Sequence, residues 1–126
     1  MEHKLSSGSQ IPDIEISLID GNTARLYDET SNWILLIVYR GLHCPICKDY
    51  ATRFEHNLSK LQDMNTQLFF ISADPLEKAK IFAEELNLKS KIGYGLGIEE
   101  MRKLGLYVSE PRPNEVNYIF PEPELF

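Results

Sequence analysis

Two short apolar segments separated by a helical pattern constrain the fold more than any other feature of this sequence. The first, "WILLIVYR" at residues 33–40, is apolar on both faces and rich in β-branched residues, which is typical of a central strand covered by helices on each side. The second, "QLFFISAD" at residues 67–74, has the same character. Because strands that alternate with helices pair in parallel through crossover connections, the pattern predicts an α/β fold with three layers and a mostly parallel central sheet.

Apolar periodicity on either side of the first strand predicts two further elements. Residues 14–26 alternate apolar and polar side chains around an Asp20-Gly21 turn signal, which predicts an N-terminal hairpin. After the strand, the spacing of apolar residues predicts one amphipathic helix over 45–64. The apolar stripe of this predicted helix consists of Ile46, Tyr50, Phe54, Leu58 and Leu61.

A second helix is predicted directly after the second strand. Asp74 is placed as its N-cap, with Pro75 at the first helical position and Glu77 three residues after the cap. Its predicted buried stripe consists of Leu76, Ala79, Phe82, Ala83 and Leu86. We expect a short strand over 91–96 and a short helix over 98–104 to follow, with Gly105 suited to the C′ position.

The C-terminal segment, residues 109–126, differs from the rest of the chain. It contains four prolines and has no usable periodicity, so it is predicted to be a loop or tail. It finishes with Leu125 and Phe126, two apolar residues that resemble the start of a strand. The length of 126 residues indicates that residues 1–126 form a single domain.

Charge and hydropathy exclude several classes of partner and location. The net charge is −6 and no element carries a cluster of Lys and Arg, which argues against nucleic acid and anionic membrane as partners. No apolar run approaches the roughly 20 residues of a membrane-spanning helix. The N-terminal "MEHKLSSGSQ" lacks the apolar core of a secretory signal, so a cytoplasmic location is predicted.

The only two cysteines, Cys44 and Cys47, lie where the first strand passes into the first helix. Cys44 is expected at the N-cap and Cys47 in the first turn, where unpaired N–H groups and the helix dipole favour a thiolate. Arg40, His43 and Lys48 would add positive potential. A CxxC pair at such a junction predicts a redox pair that forms a reversible disulfide.

Two other interpretations of the cysteines stay open from the residues alone. They would be small core residues, or they would bind a metal together with His43 or His56, although His43 directly adjoins Cys44 and is poorly placed for ligation. We predict no metal and no cofactor, and we expect His56 to be a solvated surface residue. Tyr39 and Trp33 are expected to be core aromatics.

Several motifs together resemble a known family. "GSQIPDIEISLIDG", "VYRGLHCPIC" and "LGLYVS" followed by "EPELF" are similar to the peroxiredoxin-like branch of the alkyl hydroperoxide reductase/thiol-specific antioxidant family. The likeness extends over nearly the whole chain from Gly8. It implies a thioredoxin-like fold and a thiol-dependent antioxidant oxidoreductase. It also implies that the C-terminal β-hairpin and final helix of this fold are missing, so that the sheet edge they would cover is covered by another chain or by the tail folding back.

The sequence departs from the peroxiredoxin pattern PxxxTxxC at two positions. Aligned with that pattern, Cys47 takes the position of the cysteine that attacks peroxide, Cys44 replaces the Thr and Arg40 replaces the Pro. The late Arg of a peroxiredoxin site has no match beside "FPEPELF", and Arg112 is the nearest candidate. Thioredoxin logic instead makes Cys44 the more exposed nucleophile and Cys47 the resolving thiol.

The resemblance therefore implies a site of Cys44 and Cys47, supported by Arg40, His43 and Pro45. The expected partners are a thiol reductant of thioredoxin or glutathione type and a small peroxide or a protein disulfide as substrate. The sequence leaves open whether the chain forms a homo-oligomer. The alternatives are an interaction module of the same fold without turnover and a metal-binding CxxC.

Overall fold

The computed structural model describes residues 12–26, 33–106, 108–109 and 120–125. Within these ranges the strands are β1 (Glu15–Leu18), β2 (Thr23–Arg25), β3 (Trp33–Val38), β4 (Thr66–Ile71), β5 (Lys91–Tyr94), β6 (Val108–Ser109), β7 (Phe120–Pro121) and β8 (Glu124–Leu125). The helices in the same ranges are α1 (Pro45–His56), α2 (Leu58–Asp63), α3 (Leu76–Glu85) and α4 (Ile98–Lys103).

The main sheet has the strand order β2-β1-β5-β4-β3-β8 and is mixed. Its centre consists of β3, β4 and β5 in parallel, as the alternation of strands and helices predicted. The N-terminal hairpin joins β5 in antiparallel orientation, and β8 joins β3 in the same way. Gly21, with φ +92°, makes the predicted hairpin turn between β1 and β2.

The core lies on both faces of this sheet, so the predicted three layers are present. On β3, the side chains of Leu36 and Val38 enter a cluster with the hairpin and α4, while that of Ile37 enters the opposite cluster with α1 and α3. Buried residues of α3 are Ala79, Phe82 and Ala83, in agreement with its predicted stripe. β3 and β4 are thus apolar on both faces because each face of the sheet packs into a core cluster, as predicted.

The predicted helix over 45–64 is divided into α1 and α2 at Asn57. The Asn57 side chain donates to the Arg53 carbonyl at 2.9 Å, and its backbone N–H bonds to the Phe54 carbonyl at 3.1 Å, so an Asn that competes for helix carbonyls interrupts the ladder. The face of α1 also differs from the prediction. Cys47 and Ala51 are buried, and the predicted stripe residues Ile46 and Tyr50 are 67% and 49% exposed.

Two aromatic residues were predicted to lie in the core, and one of these two predictions is wrong. Tyr39 is buried and stacks on Phe82 with ring centroids 4.2 Å apart. Trp33 is 77% exposed, because it is the first residue of β3 and pairs with Thr66 at the very start of β4, outside the packed centre of the sheet. At the end of α4, Gly105 adopts φ +69° and takes the predicted C′ position.

The segment predicted as a loop over 109–126 contains short strands where the structure describes it. β7 pairs with β6, and β8 pairs with the last two residues of β3, with Leu125 opposite Ile37. Leu125 therefore lies in a strand as predicted, although β8 begins one residue earlier at Glu124 and Phe126 lies outside the described residues, and this part of the tail folds back on the edge of β3. Arg112 lies outside the described residues. The single domain and the missing C-terminal hairpin and helix stay predictions.

None of the helices in the described ranges has the length and apolar character needed to cross a membrane.

Candidate active site at the β3–α1 junction

The two cysteines lie at the start of α1, as predicted, and both carry free thiols. Cys44 is the N-cap, with an extended backbone at φ −105°, and its Sγ accepts the Cys47 backbone N–H at 3.3 Å. Pro45 is the first residue of α1 and is exposed. A thiol therefore occupies the place where a Ser or Asp oxygen usually caps a helix.

Both sulfurs are buried, which corrects one expectation from the sequence. Cys44 is 5% exposed and Cys47 is 3% exposed, so the expected order of exposure is kept by a small margin, but neither cysteine is an exposed residue. The cause is the contact of α1 with the sheet, where both cysteines enter the same core cluster as Tyr39 and Phe70.

Cys47 is a neutral, protonated thiol at neutral pH, in contrast to the predicted thiolate. Burial raises the pKa of Cys47 to about 12, and the Cys44 side chain raises it further, while the Arg40 backbone N–H and the Arg40 charge act in the opposite direction. The Arg40 N–H donates to the Cys47 Sγ at 3.4 Å. The helix start therefore does not outweigh the loss of solvent around this sulfur.

An apolar pocket of about 340 Å³ opens beside Cys47. Its lining consists of Ile37, Val38, Tyr39, Cys47, Tyr50, Phe70 and Pro123. Tyr50 and Pro123 are exposed at its rim, and Cys44 is absent from the lining. The exposed Tyr50, which was predicted to be in the core, thus belongs to this pocket.

Arg40 and His43 lie near the cysteines but face the tail. The Arg40 guanidinium lies over the Phe120 ring at 4.8 Å from its centroid, and its Nε is 3.4 Å from a carboxylate oxygen of Glu122. The His43 ring meets the edge of the same Phe120, with centroids 4.8 Å apart. Lys48, the third predicted cation, pairs with Glu85.

Sequence reasoning missed Asp74, which reaches this junction from the end of β4. It was predicted to cap α3, but the N-cap is Pro75 and no side chain caps that helix. The carboxylate is instead fully buried and accepts the Leu42 backbone N–H at 2.7 Å. The position of Asp74 directly after β4 was the signal for this contact, because the carboxyl ends of adjacent parallel strands meet at one edge of a sheet.

The metal-site alternative finds no support in the described part of the chain. No group of three or more His, Cys, Asp or Glu side chains there is arranged to hold a metal ion. His56, one of the two candidate ligands, is exposed on α1, as predicted for a surface residue.

Known structures share this fold at low sequence identity. Peroxidoxin BcpB from Mycobacterium tuberculosis is 22% identical with a TM-score of 0.75, and the match covers 82% of this chain and 68% of that protein. A cysteine-to-serine mutant of the peroxiredoxin 6 of Arenicola marina is 17% identical with a TM-score of 0.80, over 97% of this chain and 59% of that one. The bacterioferritin comigratory protein of Xanthomonas campestris is 16% identical with a TM-score of 0.77, over 96% and 79%.

These likenesses confirm the predicted thioredoxin-like α/β fold. No curated protein matches the sequence. The sequence profile of the AhpC/TSA family matches residues 7–126. Because this match spans almost the whole chain, the protein belongs to the AhpC/TSA family of thiol-dependent antioxidant oxidoreductases.

Proposed function

We propose that this chain is a thiol peroxidase in which Cys47 attacks a small hydroperoxide and Cys44 resolves the product. The observation that carries the proposal is the asymmetry of access. Cys47 lines the open pocket and Cys44 does not, although both residues are almost completely buried. A peroxide is small enough to reach such a sulfur, whereas the disulfide of a folded protein is not. The related Xanthomonas campestris protein is described in terms of an alkyl peroxide reduction activity, which supports the same chemistry.

The proposed steps balance as a two-electron reduction. The Cys47 thiolate attacks one peroxide oxygen, the O–O bond breaks, and the other oxygen leaves as an alcohol or water after taking up a proton. The Cys47 sulfenic acid then condenses with the Cys44 thiol, which forms the disulfide and releases water. Residues three apart at a helix start are close enough for this bond. A thiol reductant returns both thiols by exchange: one dithiol of thioredoxin type, or two molecules of a monothiol of glutathione type, is oxidised to a disulfide.

The Arg40 backbone N–H has a defined part in this proposal. It donates to the Cys47 Sγ, so it would stabilise the developing thiolate in a site with little water. The peroxiredoxin pattern has Pro at this position, which has no N–H to donate. This chain would therefore obtain from a backbone amide part of the stabilisation that the Cys44 thiol, in place of a Thr hydroxyl, supplies poorly.

Intact mass after stoichiometric hydrogen peroxide tests the proposal. The wild type should lose two hydrogens as the disulfide forms, and Cys44→Ser should gain one oxygen that a sulfenic-acid probe traps. Cys47→Ser should consume no peroxide and serves as the control. If neither single mutant yields a trappable sulfenic acid, the peroxidase proposal is wrong.

The second candidate is reduction of protein disulfides with Cys44 as the nucleophile. The N-cap position of Cys44 favours it, because its Sγ accepts the backbone N–H of Cys47 in the first turn of α1. Cys44→Ser would then abolish reduction of a model disulfide. A Cys44→Ser variant that reduces the disulfide at the wild-type rate would exclude this assignment. Cytoplasmic location and an interaction role without turnover stay predictions.

A further inference from the structure

The side chain of Asp74 is a buried acid with no place in the proposed steps. It is 0% exposed, and its Oδ2 accepts the Leu42 N–H at 2.7 Å. Its Oδ1 packs against Gly41 so closely that a Cβ on that glycine would lie 2.7 Å from it and 3.0 Å from the His43 Nδ1. A buried carboxylate is tolerated where hydrogen bonds offset its loss of solvent, so the bond from the Leu42 N–H is part of what holds Asp74 in this place.

Asp74 is itself held firmly by the ends of β4 and β5. Its backbone N–H bonds to the Ser72 hydroxyl at 3.1 Å, and its carbonyl accepts the Gly95 N–H at 2.8 Å. The Ser72 carbonyl accepts the Leu96 N–H at 3.0 Å. The carboxylate therefore projects from a rigid frame rather than from a mobile loop.

The segment that Asp74 contacts, Arg40–Cys44, carries the hydrogen bonds of both cysteines. Its Arg40 N–H donates to the Cys47 Sγ, and the Gly41 carbonyl accepts the Cys44 N–H at 3.1 Å. The Leu42 N–H belongs to the same peptide group as the Gly41 carbonyl and lies two residues after the Arg40 N–H. The bond from Leu42 to Asp74 therefore fixes the Gly41–Leu42 peptide group, which restrains the short segment that includes the Arg40 amide.

We propose that Asp74 is a positioning residue for the cysteine pair: its buried carboxylate fixes the Leu42 N–H and so aims the Arg40 N–H at the sulfur of Cys47. The inference rests on the proposed function for its kinetic consequence, but the positioning itself is a property of the folded chain. A shift of about 1 Å in such a group costs up to roughly 100-fold in rate.

The test uses three substitutions in the full chain. Asp74→Ala removes the acceptor and should slow the reaction of Cys47 with hydrogen peroxide roughly 10- to 100-fold. Asp74→Asn keeps an acceptor oxygen and should restore the rate to within about threefold, because position rather than charge is required. Asp20→Ala removes another carboxylate that accepts a backbone N–H, that of Asn22, and should leave the rate unchanged.

Two-dimensional amide NMR supplies a readout that does not depend on activity. The Leu42 and Arg40 amide signals should both move in Asp74→Ala and remain near their wild-type positions in Asp74→Asn. If Asp74→Ala does not fold, Asp74→Glu keeps the carboxylate but displaces it by one methylene, and it should show the same slow reaction.

The outcomes separate the two proposals. A wild type that does not react with peroxide overturns the proposed function, and the NMR shifts still decide the positioning. A reactive wild type with an equally fast Asp74→Ala, or an Asp74→Asn as slow as Asp74→Ala, overturns the positioning proposal.

Discussion

The two junctions where a parallel strand passes into a helix use their polar groups in opposite ways. At the β3–α1 junction the helix is capped from within, by the Sγ of Cys44 accepting the Cys47 N–H. At the β4–α3 junction the stronger capping side chain, that of Asp74, precedes a helix that no side chain caps. Its carboxylate serves the neighbouring junction instead, through the Leu42 N–H.

This difference shows that the stronger capping side chain does not stabilise the helix that it precedes. An Asp at the start of a helix typically stabilises it by about 1 kcal/mol, and α3 forgoes that gain. The weak cap is at the junction for which we propose the chemistry, where the Cys44 Sγ accepts the Cys47 N–H and the Asp74 carboxylate accepts the Leu42 N–H. The β4–α3 junction therefore lacks a side-chain cap, and its carboxylate supplies a hydrogen bond to the β3–α1 junction instead.

The largest effect is expected from breaking the contact between the junctions at Gly41. Gly41→Ala should destabilise the protein by about 3 kcal/mol, because the residue has φ +143° and the new Cβ would lie 2.7 Å from the Asp74 carboxylate. Urea unfolding under reducing conditions measures the change. Gly95→Ala is the matched control, since Gly95 also has positive φ, at +68°, but nothing lies within 4 Å of the new Cβ. Its cost should be only about 1 kcal/mol, and equal losses in the two variants would mean that Asp74 does not press on the loop.

The comparison of the junctions also explains which parts of the structure could be predicted from the sequence. The three layers follow from β3 and β4, whose side chains alternate between two cores and so must be apolar throughout. The buried face of α1 could not be read from its apolar spacing, because the small Cys47 and Ala51 allow the helix close to the sheet. This turns the larger Ile46 and Tyr50 outward.

The candidate site could likewise be predicted only where it depends on residues close together in the sequence. The cysteine pair is a local pattern, and its place at the start of α1 was correct. The partner of Asp74 is a backbone amide 32 residues away, which a capping rule based on neighbours cannot find. The contacts of Arg40 and His43 with Phe120 were also beyond reach, since the tail residues were predicted as a loop without structure.

The second prediction concerns the pH dependence of the reaction with peroxide. Because the pKa of Cys47 is raised to about 12, only a small share of the thiol is ionised at neutral pH. The second-order rate should therefore rise about tenfold for each pH unit from pH 7 to 9, without a plateau. Stopped-flow measurement of Cys44→Ser isolates Cys47. A plateau below pH 8 would mean that the thiolate is stabilised more strongly than the buried junction indicates.

The third prediction applies the same raised pKa to stability. The folded state holds the Cys47 proton more tightly than the unfolded chain does, because the pKa is raised on folding. The contribution of this group to the free energy of unfolding is therefore complete below about pH 8.5, the pKa of the unfolded chain. It should be lost as the pH rises from there towards the folded pKa. Urea unfolding between pH 8 and 10 under reducing conditions should show a decline of up to about 1 kcal/mol per pH unit beyond that of Cys47→Ala. Parallel pH profiles for the two proteins would contradict the shift.

The smallest effect concerns the thiol cap itself. Cys44→Ala removes the acceptor of the Cys47 N–H and should cost about 0.5–1 kcal/mol, whereas Cys44→Ser keeps an oxygen at the N-cap and should be at least as stable as the wild type. Thermal unfolding of the reduced proteins measures both. The comparison needs both variants, because each removes the Cys44 thiol and only the alanine removes the cap. If the alanine and serine variants are equally stable, the Sγ contact does not hold the start of α1.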